Sequence, residues 1–158
     1  MNIFEFALKK EAQSQAVYLE LAKTAPTIGM KNIFTMLADD EKRHYQTIAK
    51  MEKEENVDLS ECKILADSRK ILAKLKTEKK KCKLDGSQLD VYKKAQENEE
   101  ASERFYREKA HETKDEYQRK LFLSLAEEEN NHSAILNEII ELIGHPEAFL
   151  ENAEFNKR

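Results

Sequence analysis

Six residues of this chain have the types and the spacing of ligands for two metal ions. Each half of the sequence carries one glutamate that is followed thirty residues later by the pattern Glu-x-x-His. The six residues are Glu11, Glu41, His44, Glu99, Glu129 and His132. Mixed carboxylate and imidazole ligands suit iron or manganese and also accept zinc. The pattern therefore predicts a centre in which four carboxylates balance the charge of two divalent cations and two neutral imidazoles complete the coordination.

An internal repeat relates the two sets of candidate ligands. Adding 88 to a residue number in the first set gives its counterpart in the second set, and neighbouring residues follow the same rule without an insertion. The neighbours that repeat are Ala7, Ser14, Tyr18, Ala22, Phe34, Leu37 and Ala38, with Ala95, Ser102, Tyr106, Ala110, Phe122, Leu125 and Ala126 as their counterparts. A repeat in this register predicts a duplicated helical hairpin, in which each copy supplies half of the coordination shell.

The four candidate carboxylates lie on apolar faces of the predicted helices. On a helical wheel of about 100° per residue, mostly apolar side chains fall within about 60° of each of these glutamates. Each ionised carboxylate taken out of water costs several kcal/mol, so we expect bound cations to neutralise them, with protonation or exposure to water as the alternatives. Glu108 and His111 also match Glu-x-x-His, but Glu108 lies on the opposite side of its helix from Glu99. We therefore assign that pair to the surface.

The hydrophobic periodicity predicts four long helices arranged as two hairpins. We expect these helices at residues 2–24, 28–54, 89–113 and 116–143. Pro26 and Thr27 separate the first pair, Lys114 and Asp115 separate the second pair, and Gly144 ends the last helix. The pattern predicts one all-α domain, a four-helix bundle with one long crossover. Its parts are a hairpin over 1–54, a partly helical crossover over 55–88, a second hairpin over 89–143 and a short C-terminal capping segment over 144–158.

Charge and composition argue against several classes of function. The formal net charge is −4, and the lysines between Lys74 and Lys83 alternate with no aromatic residue, so the sequence does not indicate nucleic-acid binding. The sequence has no long uncharged apolar run, so we expect no signal peptide and no membrane span. Cys62 and Cys82 lie far apart in the crossover, and we interpret them as reduced thiols of a cytoplasmic protein, with a disulfide between them as the alternative.

At the candidate ligands the chain resembles the ferritin-like di-iron carboxylate family, and within it the rubrerythrin-like branch. The similar segments surround Glu11 (EAQSQAVY), Glu41 (LADDEKRH) and Glu129 (LAEEENNH). The resemblance implies a ferritin-like four-helix bundle that binds two iron ions, with manganese or zinc as alternatives, and that forms a homodimer. It also implies that Tyr18 and Tyr106 donate hydrogen bonds to ligating carboxylates across the bundle. A redox role for these two phenols is the alternative.

The sequence departs from rubrerythrins proper in two respects. Those proteins add an iron site on four cysteines, whereas this chain has two cysteines, so its electrons would come from an external electron-donor protein. They also carry a further carboxylate three residues after the ligand on the third helix of the bundle, where this chain has Ser102. The resulting set of six ligands is more similar to the symmetric centres of bacterioferritins.

Three functions are compatible with these observations. The first is an oxidoreductase of the peroxidase or oxidase type, which reduces hydrogen peroxide or dioxygen with electrons from the external donor protein. The second is an iron-binding protein that oxidises iron and stores it or passes it on. The third is a bundle whose metals are only structural, or one that has lost metal in favour of binding a partner. The first is our principal hypothesis, and a metal content that saturates at two per chain would separate it from storage.

Overall fold

The computed structural model describes residues 2–57, 62–78 and 86–144. Within these ranges the α-helices are α1 (Ile3–Lys23), α2 (Ile28–Glu52), α3 (Ile64–Glu78), α4 (Leu89–Glu112) and α5 (Glu116–Gly144). The predicted all-α fold is confirmed, the four long helices end within two residues of the predicted positions, and the crossover is partly helical. None of the helices in the described ranges contains an uncharged apolar stretch of the length that a membrane span requires. Cys82 and residues 145–158 of the predicted capping segment lie outside the described residues.

Side chains cap the N-termini of three of the long helices. The Asn2 carboxamide oxygen accepts a hydrogen bond of 2.8 Å from a backbone N–H in the first turn of α1, and Thr27 Oγ1 accepts one of 3.1 Å in α2. Asp115 Oδ1 accepts two such bonds, of 2.9 and 3.2 Å, at the start of α5. Each cap is worth about 0.5–2 kcal/mol. The caps at Thr27 and Asp115 therefore fix the two short turns that make each pair of helices a hairpin.

The two hairpins lie side by side, with α1 packed on α2 and α4 packed on α5. Tyr18 on α1 contacts Glu99 on α4, and Tyr106 on α4 contacts Glu11 on α1. The later residue of one helix thus meets the earlier residue of the other, so α1 and α4 are antiparallel neighbours. The crossover helix α3 packs against both α2 and α5 and covers that side of the bundle.

Two apolar clusters form the core and leave a gap between them. In α2 the first cluster ends at Ala38 and the second begins at Ile48, whereas in α5 the second cluster ends at Ala126 and the first begins at Ile135. Large side chains in the clusters include Phe34, Leu37, Leu72, Tyr92, Leu136, Ile139, Tyr106, Leu121, Phe122 and Leu125. The gap holds the two Glu-x-x-His segments. The candidate ligands therefore occupy a polar layer that is closed at both ends by apolar side chains.

A glycine allows α3 to approach α2 closely. A Cβ atom built on Gly29 would lie 3.1 Å from Ile71 Cγ2 and 3.2 Å from Leu75 Cδ2. These distances are tighter than ordinary van der Waals contacts between carbon atoms. On the same helix the Leu72 side chain is almost fully buried. The contact with α2 therefore depends on a small residue at position 29 and on the apolar face of α3.

Candidate metal centre

The structure brings all six candidate ligands together in one buried cluster. They come from four helices, with Glu11 on α1, Glu41 and His44 on α2, Glu99 on α4, and Glu129 and His132 on α5. None of the six is more than 2% exposed, so bulk water does not compensate their charges. This inward orientation agrees with the helical-wheel prediction. We refer to these residues as the six-residue cluster.

The six-residue cluster consists of two overlapping groups, each of which has the size of one metal site. One group is Glu11, Glu41, His44 and Glu129, and the other is Glu41, Glu99, Glu129 and His132. Within each group, one ligand atom per residue lies within 4.8 Å of all the others. Because Glu41 and Glu129 belong to both groups, these two carboxylates are placed to bridge two ions. The other four residues are placed to bind one ion each.

The geometry of the cluster shows the twofold symmetry of the repeat. His44 Nδ1 lies 2.8 Å from Glu129 Oε1, and His132 Nδ1 lies 2.7 Å from Glu41 Oε1. The same two nitrogens lie 3.6 and 3.5 Å from the glutamates contributed by α1 and α4. The two imidazole rings are nearly parallel, with centroids 5.4 Å apart. Both histidines therefore direct Nδ1 at the carboxylates.

Seven side-chain atoms of the cluster have no hydrogen-bond partner within the described chain. They are Glu11 Oε2, both carboxylate oxygens of Glu41, His44 Nδ1, Glu99 Oε2, Glu129 Oε1 and His132 Nδ1. Some lie within 3 Å of each other but without the angles of a hydrogen bond, so they converge on shared points. A buried polar atom without a partner costs about 1–3 kcal/mol. Bound cations would satisfy these atoms, and the donor set fits iron, manganese or zinc.

Two tyrosines hold the carboxylates at the ends of the cluster. Tyr18 Oη donates a hydrogen bond of 2.5 Å to Glu99 Oε1, and Tyr106 Oη donates one of 2.6 Å to Glu11 Oε1. Burial and the negative charge of the bonded glutamate raise the pKa of each phenol well above its ordinary value. The phenols therefore remain protonated donors at neutral pH. Each bond occupies one carboxylate oxygen and leaves the other one free to face the centre.

Behind the histidines lie two further buried carboxylates that the sequence analysis missed. His44 Nε2 lies 2.5 Å from Glu128 Oε2, and His132 Nε2 lies 2.5 Å from Asp40 Oδ2. Arg43 joins these carboxylates, since its Nη2 donates to Asp40 Oδ1 at 2.8 Å and to Glu128 Oε1 at 2.6 Å. A carboxylate that accepts the Nε2 proton fixes the orientation and tautomer of the imidazole. The Nδ1 lone pair is then available to a metal ion.

The repeat contains a signal for two of these three residues. Asp40 and Glu128 are acidic, directly precede Glu41 and Glu129, and are themselves 88 residues apart. Extending the repeat to the residue before each Glu-x-x-His would have identified them. Arg43 carries no such signal, because its counterpart in the repeat is Asn131.

The four glutamates of the cluster fall into two pairs with opposite pKa shifts. Burial and the charges of the neighbouring carboxylates raise the pKa of Glu41 and of Glu129 well above the ordinary value. Burial also acts to raise the pKa of Glu99, but the charge and contact of His132 lower it to about 2. The pKa of Glu11 is lowered against the effect of burial by contacts with Glu41 and with the positive charge of His44. Without bound metal, Glu41 and Glu129 therefore favour their protonated forms, whereas Glu11 and Glu99 favour their ionised forms.

The two histidines complete this charge balance. Burial acts to lower the pKa of both imidazoles, but the charges of Glu11 and Glu99 raise the pKa of His44 and His132 well above the ordinary value. With protons on the groups whose pKa is raised and none on those whose pKa is lowered, the six-residue cluster has a formal charge of zero. Two divalent cations can replace the four protons without changing that charge. The cluster is thus suited to exchanging protons for metal ions.

Comparison with models of protein families identifies this chain. A model of the family described as Rubrerythrin matches residues 2–140, a range that includes α1 to α4, all but the last four residues of α5 and all six candidate ligands. Searches of curated proteins and of solved structures give no match. The two overlapping groups of buried carboxylates and histidines are the arrangement that a di-metal centre in a four-helix bundle needs. The chain therefore belongs to the rubrerythrin family of ferritin-like, non-haem di-iron carboxylate proteins.

Proposed function

We propose that this protein is an oxidoreductase that reduces hydrogen peroxide or dioxygen at a di-iron centre, with electrons from an external donor protein. The observation that carries the proposal is the buried six-residue cluster, in which Glu41 and Glu129 belong to both overlapping groups of candidate ligands. Reduction of hydrogen peroxide to two water molecules consumes two electrons and two protons. A pair of bound iron ions supplies two electrons together.

In this proposal the residues of the cluster place the two ions next to each other. Glu11 and His44 would hold one ion, Glu99 and His132 would hold the other, and the two glutamates common to both groups would contact both ions. The carboxylates behind the histidines fix the imidazole rings, and the tyrosines fix the outer carboxylates. Four of the six ligands thus have a partner that determines their orientation before a metal binds, which lowers the cost of assembling the site.

Charge and burial support a centre that changes its oxidation state. Asp40 and Glu128 add two negative charges to the four of the cluster, and Arg43 adds one positive charge. When all the carboxylates are ionised and both imidazoles are neutral, these groups have a formal charge of −5. The magnitude of this charge lies midway between the +4 of two ferrous ions and the +6 of two ferric ions. Neither state leaves a large unbalanced charge in the interior. The apolar clusters close both ends of the polar layer and so limit the access of bulk water to the six-residue cluster.

The first test compares the two glutamates that belong to both groups, Glu41 and Glu129, with one surface glutamate, Glu108. Anaerobically purified protein should contain about two irons per chain, and its ferrous form should oxidise rapidly with hydrogen peroxide or dioxygen, measured separately by stopped flow. Glu41→Ala and Glu129→Ala should abolish this rapid oxidation, because each removes a ligand of both ions. Glu108→Ala should leave it unchanged, since that residue lies in an exposed Glu-x-x-His pattern outside the cluster.

Two results would contradict the proposal. Turnover that is unchanged in both bridging variants would remove the enzyme function as stated. Uptake of iron far beyond two ions per chain, together with assembly into a shell, would instead indicate a storage protein.

A further inference from the structure

A cleft of about 140 Å³ lies between α1 and α4. Its inner wall includes Tyr18 and Glu99, which are both almost fully buried, whereas Gln13 and Val17 at its outer edge are exposed. The crossover helix packs on α2 and α5, so it does not cover this side of the bundle. The cleft therefore connects the surface to a carboxylate of the six-residue cluster.

The cleft stays open because small side chains line it on both helices. Ser14 and Ser102 both line it, and each follows a candidate ligand, Glu11 or Glu99, by about one helical turn on the same face. The antiparallel contacts of Tyr18 with Glu99 and of Tyr106 with Glu11 place the two serines opposite each other, midway between these contacts. A large side chain at either position would occupy the space next to the candidate ligands.

The volume of the cleft limits the size of what can enter. A water molecule takes about 30 Å³ in the liquid, whereas pockets for drug-sized ligands measure about 300–1,000 Å³. At about 140 Å³, the cleft has room for a few molecules the size of water, dioxygen or hydrogen peroxide. It is too small for an extended organic substrate.

The charged side chain of Lys10 in the cleft favours entry of an uncharged small molecule over entry of a metal cation. Among the described residues that line it, the charged side chains are Lys10 and Glu99, and the polar remainder consists of hydroxyl and amide groups. Glu99 already accepts the hydrogen bond of Tyr18. The half-buried Lys10 side chain lines the cleft, and its ammonium group lies over the rings of Phe6 and Phe105, 5.7 and 5.4 Å from their centroids. A positive charge at this position repels an approaching metal ion but not a neutral oxidant.

We propose that the cleft between α1 and α4 is the route by which a small uncharged oxidant reaches the metal centre, and that Ser14 and Ser102 keep it open. This inference rests on the proposed function, because it specifies how the substrate of that reaction enters. It predicts that bulk added at the serine positions slows entry without removing a metal ligand.

The test fills the cleft from each wall in turn. Ser14→Leu and Ser102→Leu add bulk, while Ser14→Ala and Ser102→Ala are the matched controls that leave the cleft open. Nitric oxide serves as the probe, because it is an uncharged diatomic molecule whose association with the reduced, iron-loaded protein requires no turnover. Iron content is measured in every variant. Both leucine variants should keep their iron and should slow nitric oxide association and peroxide oxidation about tenfold or more, whereas the alanine variants should remain close to wild type.

The outcomes separate this inference from the proposed function. Slow nitric oxide association in the leucine variants supports the route even if the wild-type protein fails to react with peroxide, a result that would overturn the proposed reaction alone. Unchanged association in both iron-loaded leucine variants overturns the route. Loss of iron from both leucine variants also overturns it, because the serine positions would then shape the metal centre itself.

Discussion

The two buried histidines of this protein are oriented by carboxylates that lie outside the six-residue cluster. His44 and His132 turn Nε2 outward to Glu128 and Asp40, and this leaves Nδ1 directed at the two glutamates that the overlapping groups share. Burial opposes ionisation of Asp40, but contact with His132 and the nearby positive charges hold its pKa well below the ordinary range. The charges of His44 and Arg43 likewise lower the pKa of Glu128 against burial. Both carboxylates therefore remain ionised acceptors.

Asp40→Asn and Glu128→Gln should each weaken binding of divalent metal about 10–100-fold, because an amide no longer holds the imidazole through a charge-assisted hydrogen bond. Titration calorimetry with Mn²⁺ would measure the change. Asp39→Asn and Glu127→Gln are matched controls, since these acidic neighbours are exposed and should leave the affinity close to that of the wild type. Equal affinities in the buried and exposed variants would contradict the orienting role.

At the scale of elements, the helices and their inward faces follow from local patterns, whereas the contacts between hairpins do not. The helix ends follow from the apolar periodicity, from Pro26 and from the N-caps. The periodicity alone places the four glutamates on the faces that point into the bundle. Arg43 could not be assigned in this way, because the residue it reaches on α5 lies 85 positions away in sequence. The docking of α3 is equally non-local, since it depends on the space left by Gly29. The residue pattern within one helix does not specify which side chains of another helix will contact that helix.

Leu72→Ala on α3 should lower the free energy of unfolding by about 2–5 kcal/mol, because it removes a buried side chain from the contact of the crossover helix with the bundle. Urea denaturation would measure this loss. Leu123→Ala makes the same chemical change at a site that is 43% exposed, and it should alter stability by less than about 1 kcal/mol. If both substitutions had equally small effects, α3 would not be a stabilising part of the fold.

At the scale of the whole molecule, the protons of the six-residue cluster link stability to pH and to metal. Glu41, Glu129, His44 and His132 all have raised pKa values, so folding favours their protonated forms. Their contribution to stability is full below the ordinary values of 4.5 and 6.5 and is lost as the pH rises through the raised values. The groups with lowered pKa values contribute stability that is lost only in acid. Rising pH should therefore destabilise the metal-free protein.

The melting temperature of the metal-free protein should fall between about pH 7 and about pH 9, and saturating Mn²⁺ should largely remove this fall because the cations replace the departing protons. Differential scanning calorimetry at both pH values, with and without metal, would measure the effect. The double variant Glu41→Gln, Glu129→Gln has no carboxyl proton to lose at these positions, so its metal-free form should show a smaller fall. A metal-free wild-type melting temperature that does not change over this range would contradict the prediction.

Arg43 also limits how closely the two repeats of this chain can follow twofold symmetry. Its guanidinium reaches Asp40 and Glu128 at once, although these residues are equivalent under the repeat. It must therefore lie close to the rotation axis that exchanges the two halves. An arginine in the equivalent place, now occupied by Asn131, would compete for the same oxygens and set two like charges against each other. Only one of the two repeats therefore has room for an arginine at this position, and the twofold symmetry of the sequence is broken where the axis passes.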